Sequence, residues 1–254
     1  LARCRDHLGR QGGGRGLAIP FAGLLERHQV IPQRLLVKAR LRPARLILVG
    51  RPEAGGIRRQ HLIDQPQQAL PIEADVAREA DVDAFVRRTV ERFGRLDVMI
   101  CNAGFGIAGT IDAITPDQMR TLIDVNYLGT YYAARAALPV FRRQGRGHVI
   151  IVSSIVGKRG VPYMGAYAAT KFAQVGLAEC LRSELVGTDI HVSVVFPVST
   201  DTEFFDVMTR ETGSHVERAL GPRQHVDRVA DAIARAIAHP VPEVYPYRSE
   251  EHTS

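Results

Sequence analysis

The sequence predicts an α/β fold in which helices cover both faces of a doubly wound parallel sheet, within a single domain. Strand-like and helix-like segments alternate from residue 69 onward, which is the pattern of a parallel sheet with crossover helices. Two runs, 148–154 (HVIIVSS) and 190–197 (IHVSVVFP), are almost continuously apolar, as strands covered on both faces are. A length of 254 residues suits one such domain.

Each predicted element carries its own signal. The helix predicted over residues 78–94 has apolar residues at helical spacing and ends at Gly94. The helix predicted over 115–145 begins with Thr115 as its N-cap and Pro116 in the first helical position. The other predicted helices are 163–186 and 225–240, and the predicted strands are 45–50, 69–76, 95–104, 148–154 and 190–197.

Polar and turn-forming residues follow the predicted strands, where ligands bind in folds of this kind. They are Asp75, Asn102, Ser153, Ser154 and Pro197. Because the carboxyl ends of parallel strands meet at one edge of the sheet, we expect these residues to surround one site.

The stretch AYAATKFAQVGLAE (166–179) places Tyr167 and Lys171 four residues apart, so they share one helical face. Ser154 ends the preceding strand, 13 residues before Tyr167. A nearby ammonium group favours the phenolate and should bring the pKa of Tyr167 down. This arrangement therefore predicts general acid–base chemistry.

Five segments together resemble the short-chain dehydrogenase/reductase family, and they lie within residues 69–247. These segments are CNAG (101–104), Asn126, Ser154, YAATK (167–171) and PVSTDT (197–202). The resemblance implies a Rossmann-like fold and an NAD(P)-dependent oxidoreductase that interconverts a carbonyl and a secondary alcohol. It implies NADP or NAD as the cofactor and a small-molecule carbonyl or alcohol as the substrate. The catalytic residues that it implies are Asn126, Ser154, Tyr167 and Lys171.

The resemblance gives each catalytic residue a role. Tyr167 protonates the carbonyl oxygen as hydride arrives, or accepts the proton of the alcohol in reverse, and Ser154 hydrogen-bonds to the same oxygen. Lys171 and the cationic nicotinamide together lower the pKa of Tyr167, and Lys171 also binds the nicotinamide ribose. Asn126 holds a water that links Lys171 to solvent. The structural alternatives are that Ser154 only ends its strand and that Asn126 is a satisfied helix asparagine. An alternative function is a catalytically silent dinucleotide-binding regulator of the same fold.

The resemblance also implies the cofactor contacts. Those near the adenosine are Asp75, Val76, Asn102, Ala103 and Gly104, and those near the nicotinamide are Tyr167, Lys171, Pro197 and Thr202. Two positions depart from the family pattern: Cys101 replaces an asparagine, and Val198 replaces a glycine. A buried thiol is a small apolar filler, whereas Val198 is expected to tighten or re-aim the nicotinamide turn.

Residues 198–224 are expected to form a lid over the substrate. This segment contains Phe204, Phe205 and Met208. These side chains either line an apolar pocket or pack the lid onto the core, and the sequence leaves both interpretations open.

The first 67 residues do not fit the family pattern. QGGGRGLA (11–18) imitates a phosphate-binding loop, in which Gly12 and Gly16 match. The preceding ARCRDHLGR would leave four charges unpaired in a buried strand. Residues 1–70 hold 13 basic and 4 acidic residues, so this segment accounts for the whole net charge of +6.

The leading interpretation is that much of residues 1–67 is a wrong-frame translation that replaces the first βαβ unit. The alternatives are a divergent domain or basic arm that binds nucleic acid, and a degenerate sequence that binds no cofactor. Arg51 weakly favours NADP over NAD as the cofactor, since an arginine at this position would meet a 2′-phosphate. The ending RSEEHTS (248–254) is interpreted as an adapter-derived tail after a truncated core at 68–247.

Composition and the resemblance set the expected partners and compartment. No apolar run is long enough for a transmembrane helix. The three cysteines show no metal-ligand or disulfide spacing, so we expect no metal and a reducing cytoplasm. The core predicts no nucleic-acid and no membrane partner. Helices 115–143 and 163–186 resemble the family's subunit interface, which implies a homodimer or homotetramer.

Overall fold

From residue 69 onward, strands and helices follow in the predicted order. The computed structural model describes residues 35–38, 45–49, 69–202, 204, 208 and 223–247. The strands are β1 (Leu35–Lys38), β2 (Arg45–Val49), β3 (Ala69–Glu73), β4 (Val98–Cys101), β5 (Arg146–Val152), β6 (Asp189–Val195) and β7 (Glu243–Val244). The helices are α1 (Glu79–Phe93), α2 (Pro116–Leu122), α3 (Gly129–Gln144), α4 (Gly165–Glu184) and α5 (Val226–Ala238).

The helix ends follow from local chemistry. Helix α1 ends at Gly94, whose φ of 74° lies in the left-handed region that glycine adopts readily. Helix α2 begins at a capping box: Gln118 N donates to the Thr115 hydroxyl, and Thr115 N donates to the Gln118 side chain. None of the helices in the described ranges is long and apolar enough to span a bilayer.

The helix predicted over 115–145 is not continuous. Residues Ile123–Leu128 form a π turn between α2 and α3, and such a turn adds a residue to the helical path. The Asn126 carbonyl in this turn accepts hydrogen bonds from Thr130 Oγ1 at 2.8 Å and Gln174 Nε2 at 2.7 Å. The prediction of one unbroken helix is therefore wrong, because the spacing of apolar residues does not reveal which carbonyls will bind side chains.

Strands β4, β5, β6 and β7 form a parallel sheet in that order. Cys101 lies opposite Ile151, and Val152 lies opposite Val195. The carboxyl ends of β4, β5 and β6 therefore reach the same edge of the sheet. In open α/β sheets this edge is where ligands bind.

The three strands before α1 depart from the predicted parallel arrangement. Residues 45–49 do form the predicted strand, but β2 pairs antiparallel with both β1 and β3 in a separate sheet. Only six residues separate β1 from β2. A link of that length closes a hairpin but cannot make the crossover that a parallel pair requires. Among the described strands, β4 is therefore the first along the chain that belongs to the parallel sheet.

Helices cover both faces of the parallel sheet. Met99 packs in a cluster with residues of α1, α3 and α4, whereas Ile100 and Ile150 pack with Val229 and Ile233 of α5 on the other face. This two-sided burial explains why the strands are continuously apolar in the sequence. Burial of one side chain such as Ile150 stabilises the fold by about 1.5–3 kcal/mol.

A histidine interrupts this apolar interior. His148 of β5 is buried, and its Nε2 lies 2.8 Å from Ser193 Oγ. Since Ser193 Oγ donates its proton to Val241 O at 2.5 Å, it accepts from His148 Nε2. Within the described residues His148 Nδ1 has no hydrogen-bond partner. Burial and the neighbouring His191 lower the pKa of His148 from 6.5 to about 4.

We expect His148 to make the fold less stable in acid. Its pKa is lower in the folded state than in the unfolded state, so the unfolded chain takes up the proton first as the pH falls below 6.5. By pH 4 this should remove about 3 kcal/mol from the free energy of unfolding. Urea unfolding of wild type and His148→Gln at about pH 7 and about pH 4 measures the difference.

The His148→Gln variant should lose less stability between the two pH values than the wild type does. His239→Gln changes an exposed histidine in the same way and should behave like the wild type. Equal acid sensitivity of all three proteins would contradict the assignment to His148.

Candidate active site

Ser154, Tyr167 and Lys171 come together at the carboxyl edge of the parallel sheet. Ser154 follows β5 with extended backbone, at φ −170° and ψ 162°. Tyr167 and Lys171 lie in the first two turns of α4 and are both buried. The Ser154 side chain lies close enough to the Tyr167 hydroxyl to act on its pKa, and Ser154 Oγ accepts from Val156 N at 3.4 Å. Lys171 Nζ lies 5.6 Å from the centroid of the Tyr167 ring.

The end of β5 holds the Lys171 ammonium group. Lys171 Nζ donates to Val152 O at 2.9 Å, while Ser153 Oγ donates to the main-chain oxygen of Lys171 at 3.1 Å. Burial lowers the pKa of Lys171 from 10.5 to about 7. Near neutral pH the side chain therefore populates both its charged and its neutral form.

Burial also decides the protonation of Tyr167. It raises the pKa of the phenol above its ordinary value of 10, and the Ser154 side chain acts in the opposite direction with a smaller effect. In the chain alone, removal from water thus outweighs the effect of the neighbouring residues on the pKa of Tyr167. The phenol keeps its proton at neutral pH, which suits a proton donor.

Asn126 connects the loop after β4 to helix α4. Its Oδ1 accepts from Phe105 N at 3.0 Å, and its Nδ2 donates to Phe105 O at 2.9 Å. The same Nδ2 donates to Thr170 Oγ1 at 3.0 Å, and Thr170 Oγ1 donates to Tyr167 O at 2.7 Å. Asn126 is fully buried, so these bonds fix the loop relative to the turn that carries Tyr167.

Two buried side chains in this network, Thr170 and Gln174, were not identified from the sequence. Gln174 Nε2 donates to Thr130 Oγ1 at 2.8 Å as well as to the Asn126 carbonyl. Tyr167, Thr170 and Gln174 are spaced i, i+3 and i+7, so they share one face of α4. This spacing could have identified Thr170 and Gln174 from the sequence, because it places their polar groups on the same helical face as the tyrosine.

The predicted adenosine contacts lie at the ends of β3 and β4. Asp75 Oδ1 accepts from Ala77 N at 3.1 Å and so closes a tight turn. Val76, Cys101 and Ala103 line one apolar cavity between the two strand ends. The Cys101 thiol is buried, and burial raises its pKa to about 12, so it packs as an unreactive apolar group. Asn102 follows β4 directly and is half-buried.

Gly104 lies beside Asn126 and Lys171. A Cβ at this position would lie 3.0 Å from Asn126 Oδ1 and 3.6 Å from Lys171 Nζ, so a larger residue would press on these two side chains. A glycine also lets another molecule approach this backbone closely. With the small Ala103 it leaves the main chain after β4 uncovered by its own side chains, which is what a dinucleotide lying against this edge of the sheet would require.

The turn after β6 contains the predicted nicotinamide contacts. Pro197 O accepts from Ile155 N at 3.0 Å, which ties the turn to the segment that follows Ser154. Val198 O accepts from Thr200 Oγ1 at 2.8 Å, and Thr202 Oγ1 accepts from Phe204 N at 3.3 Å. The turn is thus closed by its own side chains. The predicted residues Gly12, Gly16, Arg51 and Phe205 lie outside the described residues, as do most of 1–67, much of the lid and 248–254.

Two residues of the predicted lid, Phe204 and Met208, lie against Tyr167 and the loop after β4. The Phe204 ring centroid is 5.4 Å from that of Tyr167, and Met208 is fully buried. Both belong to an apolar cluster with Met164 and neighbouring residues. Of the two interpretations of these side chains, the structure has them packed on the core.

Comparison with known proteins identifies relatives of this chain. The model of a family described as short chain dehydrogenase matches residues 38–213. Human 17-beta-hydroxysteroid dehydrogenase type 1 is 36% identical over 164 residues, which are 64% of this chain and 46% of that protein. The chain therefore spans about half the length of this relative.

Two solved structures with bound dinucleotides share the fold. An alcohol dehydrogenase from the archaeon Thermococcus sibiricus, complexed with 5-hydroxy-NADP, has a TM-score of 0.59 and 28% identity, and the match covers 70% of this chain and 75% of that one. A 3-ketoacyl-(acyl-carrier-protein) reductase from Brucella melitensis, complexed with NADH, has a TM-score of 0.61 and 27% identity over 70% and 77% of the two chains.

Proposed function

Because this chain belongs to the short-chain dehydrogenase family, we propose that it transfers a hydride between NAD(P) and a carbonyl or secondary alcohol, with Tyr167 as general acid and base. The observation that carries this proposal is the meeting of Ser154, Tyr167 and Lys171 at one edge of the sheet, with the Ser154 side chain beside the Tyr167 hydroxyl and Lys171 Nζ 5.6 Å from the Tyr167 ring centroid. Two hydroxyl groups so placed contact one substrate oxygen from two sides.

In the direction of reduction, NAD(P)H held at this edge of the sheet would supply the hydride that the carbonyl carbon accepts, and would leave as NAD(P)⁺. The C=O electron pair moves onto oxygen, and that oxygen takes the proton of the Tyr167 hydroxyl. Ser154 Oγ donates a hydrogen bond to the same oxygen and holds it in place. The products are the alcohol and a phenolate on Tyr167. Oxidation runs these steps in reverse, with the phenolate as the base.

Lys171 stabilises the phenolate and returns its proton. Its charged form favours the anion, and its pKa of about 7 allows it to lose and regain a proton near neutral pH. We propose that Asn126 binds the water that links Lys171 to solvent through Oδ1, on the side of Gly104. The main-chain oxygen of Asn126 already accepts two hydrogen bonds, which occupy both of its lone pairs.

The cofactor is proposed to lie along the carboxyl edge of the sheet. Its adenosine half would contact Asp75, Val76, Asn102, Ala103 and Gly104, and its nicotinamide half Tyr167, Lys171, Pro197 and Thr202. Gly12 and Gly16 would contact the pyrophosphate. The weak preference for NADP over NAD rests on Arg51 alone.

We further propose a homo-oligomer in the cytoplasm. Tyr131 of α3 is 39% exposed and Phe172 of α4 is 45% exposed, and both rings lie on the helices that the sequence assigns to a subunit interface. Burial of such rings is typical of interface centres. The scattered cysteines favour a reducing compartment.

The proposal is tested by following the hydride. The protein is incubated with a small ketone and with NADPH or NADH that carries deuterium at the transferred position, and the alcohol product is analysed by mass spectrometry. We expect deuterium on the carbinol carbon and loss of nicotinamide absorbance. Cys180→Ser, at an exposed cysteine, should leave the rate unchanged.

Two negative results have different meanings. Dinucleotide binding without deuterium transfer would favour the catalytically silent regulator. Absence of dinucleotide binding by a folded protein would contradict the proposed site itself. Fluorescence of bound NADPH and circular dichroism of the protein separate these cases.

A further inference from the structure

We propose that the substrate carries a long hydrocarbon group beside its carbonyl or secondary alcohol carbon, and this inference rests on the proposed function. The structure bears on the substrate because Phe204 packs against the ring of Tyr167 and belongs with Met208 to one apolar cluster. Two exposed side chains, Ile111 and Tyr163, lie near the start of the helix that carries Tyr167.

The space next to Tyr167 is filled and walled by apolar groups. Phe204 lies on the Tyr167 ring at 5.4 Å between centroids. A Cβ on Gly106 would lie 2.0 Å from Met208 Cε and 3.0 Å from Phe204 Cζ, so both lid side chains rest directly on the Gly106 main chain. The other members of this cluster are Ala108, Ile155, Val156, Val161, Met164 and Ala168.

Because the Phe204 ring packs on the Tyr167 ring, a substrate group next to the reacting carbon would lie against this cluster. A polar group there would lose contact with water and, among the described residues of the cluster, would meet apolar side chains, which disfavours it. A hydrocarbon group would contact the same side chains without that loss. The walls therefore select an apolar occupant.

The rim of this space is also apolar. Ile111 is 78% exposed and Tyr163 is 53% exposed. Ile111 Cδ1 lies 3.7 Å from the position that a Cβ on Gly165 would take, two residues before Tyr167. Gly109 N donates to Tyr163 O at 2.8 Å, which joins the two loops that carry these side chains.

The backbone holds Tyr163 at the rim in an unusual conformation. Tyr163 has a φ of 65°, the only positive value outside glycine within the described residues. A bulky residue rarely adopts this region, and strained positions of this kind cluster at ligand sites. The strain supports a role for the Tyr163 ring in covering the part of the substrate that leaves the cluster.

Straight-chain methyl ketones from butanone to decanone test the proposal with NADPH as reductant. We expect kcat/KM to rise about fourfold for each added methylene that enters the apolar surface. A second series, with ether oxygens in place of alternate methylenes, should show little or no rise. Both series contain the same reactive group, so the comparison isolates the effect of the chain.

Ile111→Ser should lower the ratio of kcat/KM for decanone to that for butanone by about fivefold. Tyr163→Gly should lower it too, since glycine accepts the positive φ and removes only the ring. Val186→Ser is the matched control: Val186 is 82% exposed but follows the far end of α4, about 30 Å from Tyr163. It should leave the ratio unchanged.

A kcat/KM that stays flat over the methyl ketone series would overturn the substrate class and leave the proposed function intact. So would an equal rise in the ether series. If dinucleotide binds and no ketone of any length is reduced, the proposed function fails and the substrate class fails with it.

Discussion

Replacement of Tyr167 by phenylalanine should abolish nearly all turnover, with kcat about 10²- to 10⁴-fold lower. The change removes one oxygen atom and leaves a ring that still packs against Phe204. Without the hydroxyl, the oxygen that receives negative charge has no acid to protonate it. KM for the dinucleotide should change little, because the ring and Lys171 remain. Steady-state kinetics with saturating NADPH measure both constants.

Tyr131→Phe makes the same chemical change at a partly exposed tyrosine of α3 and should retain wild-type kcat. Thermal unfolding should show that Tyr167→Phe stays folded, with a change in stability of no more than about 1 kcal/mol, since the ring stays buried and only its interaction with Ser154 is lost. A kcat within about threefold of the wild type would remove Tyr167 from the proton-transfer step.

Asn126→Asp should destabilise the fold by about 3–5 kcal/mol at neutral pH, because it buries an unpaired charge. One oxygen of the new carboxylate still accepts from Phe105 N. The other oxygen replaces Nδ2, which donated to Phe105 O and to Thr170 Oγ1, so it faces these two acceptors without a proton to donate. Its pKa should be raised in the folded state by burial and by the facing carbonyl. The penalty is therefore small in acid and grows as the pH rises past the ordinary aspartate value of 3.9.

This pH dependence has the opposite sign to that of His148, so urea unfolding at several pH values distinguishes the two. Gln118→Glu is the matched control, since it converts an amide to a carboxylate at an exposed capping position where glutamate also caps. It should cost less than about 0.5 kcal/mol. An equally small cost for Asn126→Asp would show that the hydrogen bonds of Asn126 do not hold the site together.

The sequence predicted the elements that depend on repeated local patterns. Buried strands such as 148–154 are indicated by continuous apolar residues. Helix ends are indicated by Thr115, whose side chain accepts a backbone hydrogen bond, and by Gly94, which adopts a positive φ readily. The pairing of Tyr167 with Lys171 follows from helical spacing, and Ser154 joins them because parallel strands end at one edge. These inferences need only the period of the element and its direction.

The features that were not predicted depend on contacts between distant segments. The antiparallel pairing of residues 45–49 depends on partners from the least regular part of the sequence. The π turn and the role of Gln174 arise from a hydrogen bond across 48 residues, which no local pattern records. Whether the pKa of Tyr167 is raised or lowered depends on how deeply the phenol is buried, and a sequence motif does not specify that depth.

The π turn at Ile123–Leu128 also governs how this chain tolerates insertions and deletions. A surface loop absorbs a missing residue by taking a shorter path. Loss of one residue from the π turn would instead leave an uninterrupted α-helix and keep the orientation of α3, because the turn holds one residue more than an α-helix over the same path. The Asn126 carbonyl would then be drawn into the main-chain hydrogen bonds of that helix and taken from Gln174 Nε2. A deletion in this segment should therefore cost a buried hydrogen bond and leave the packing of α3 on the sheet in place.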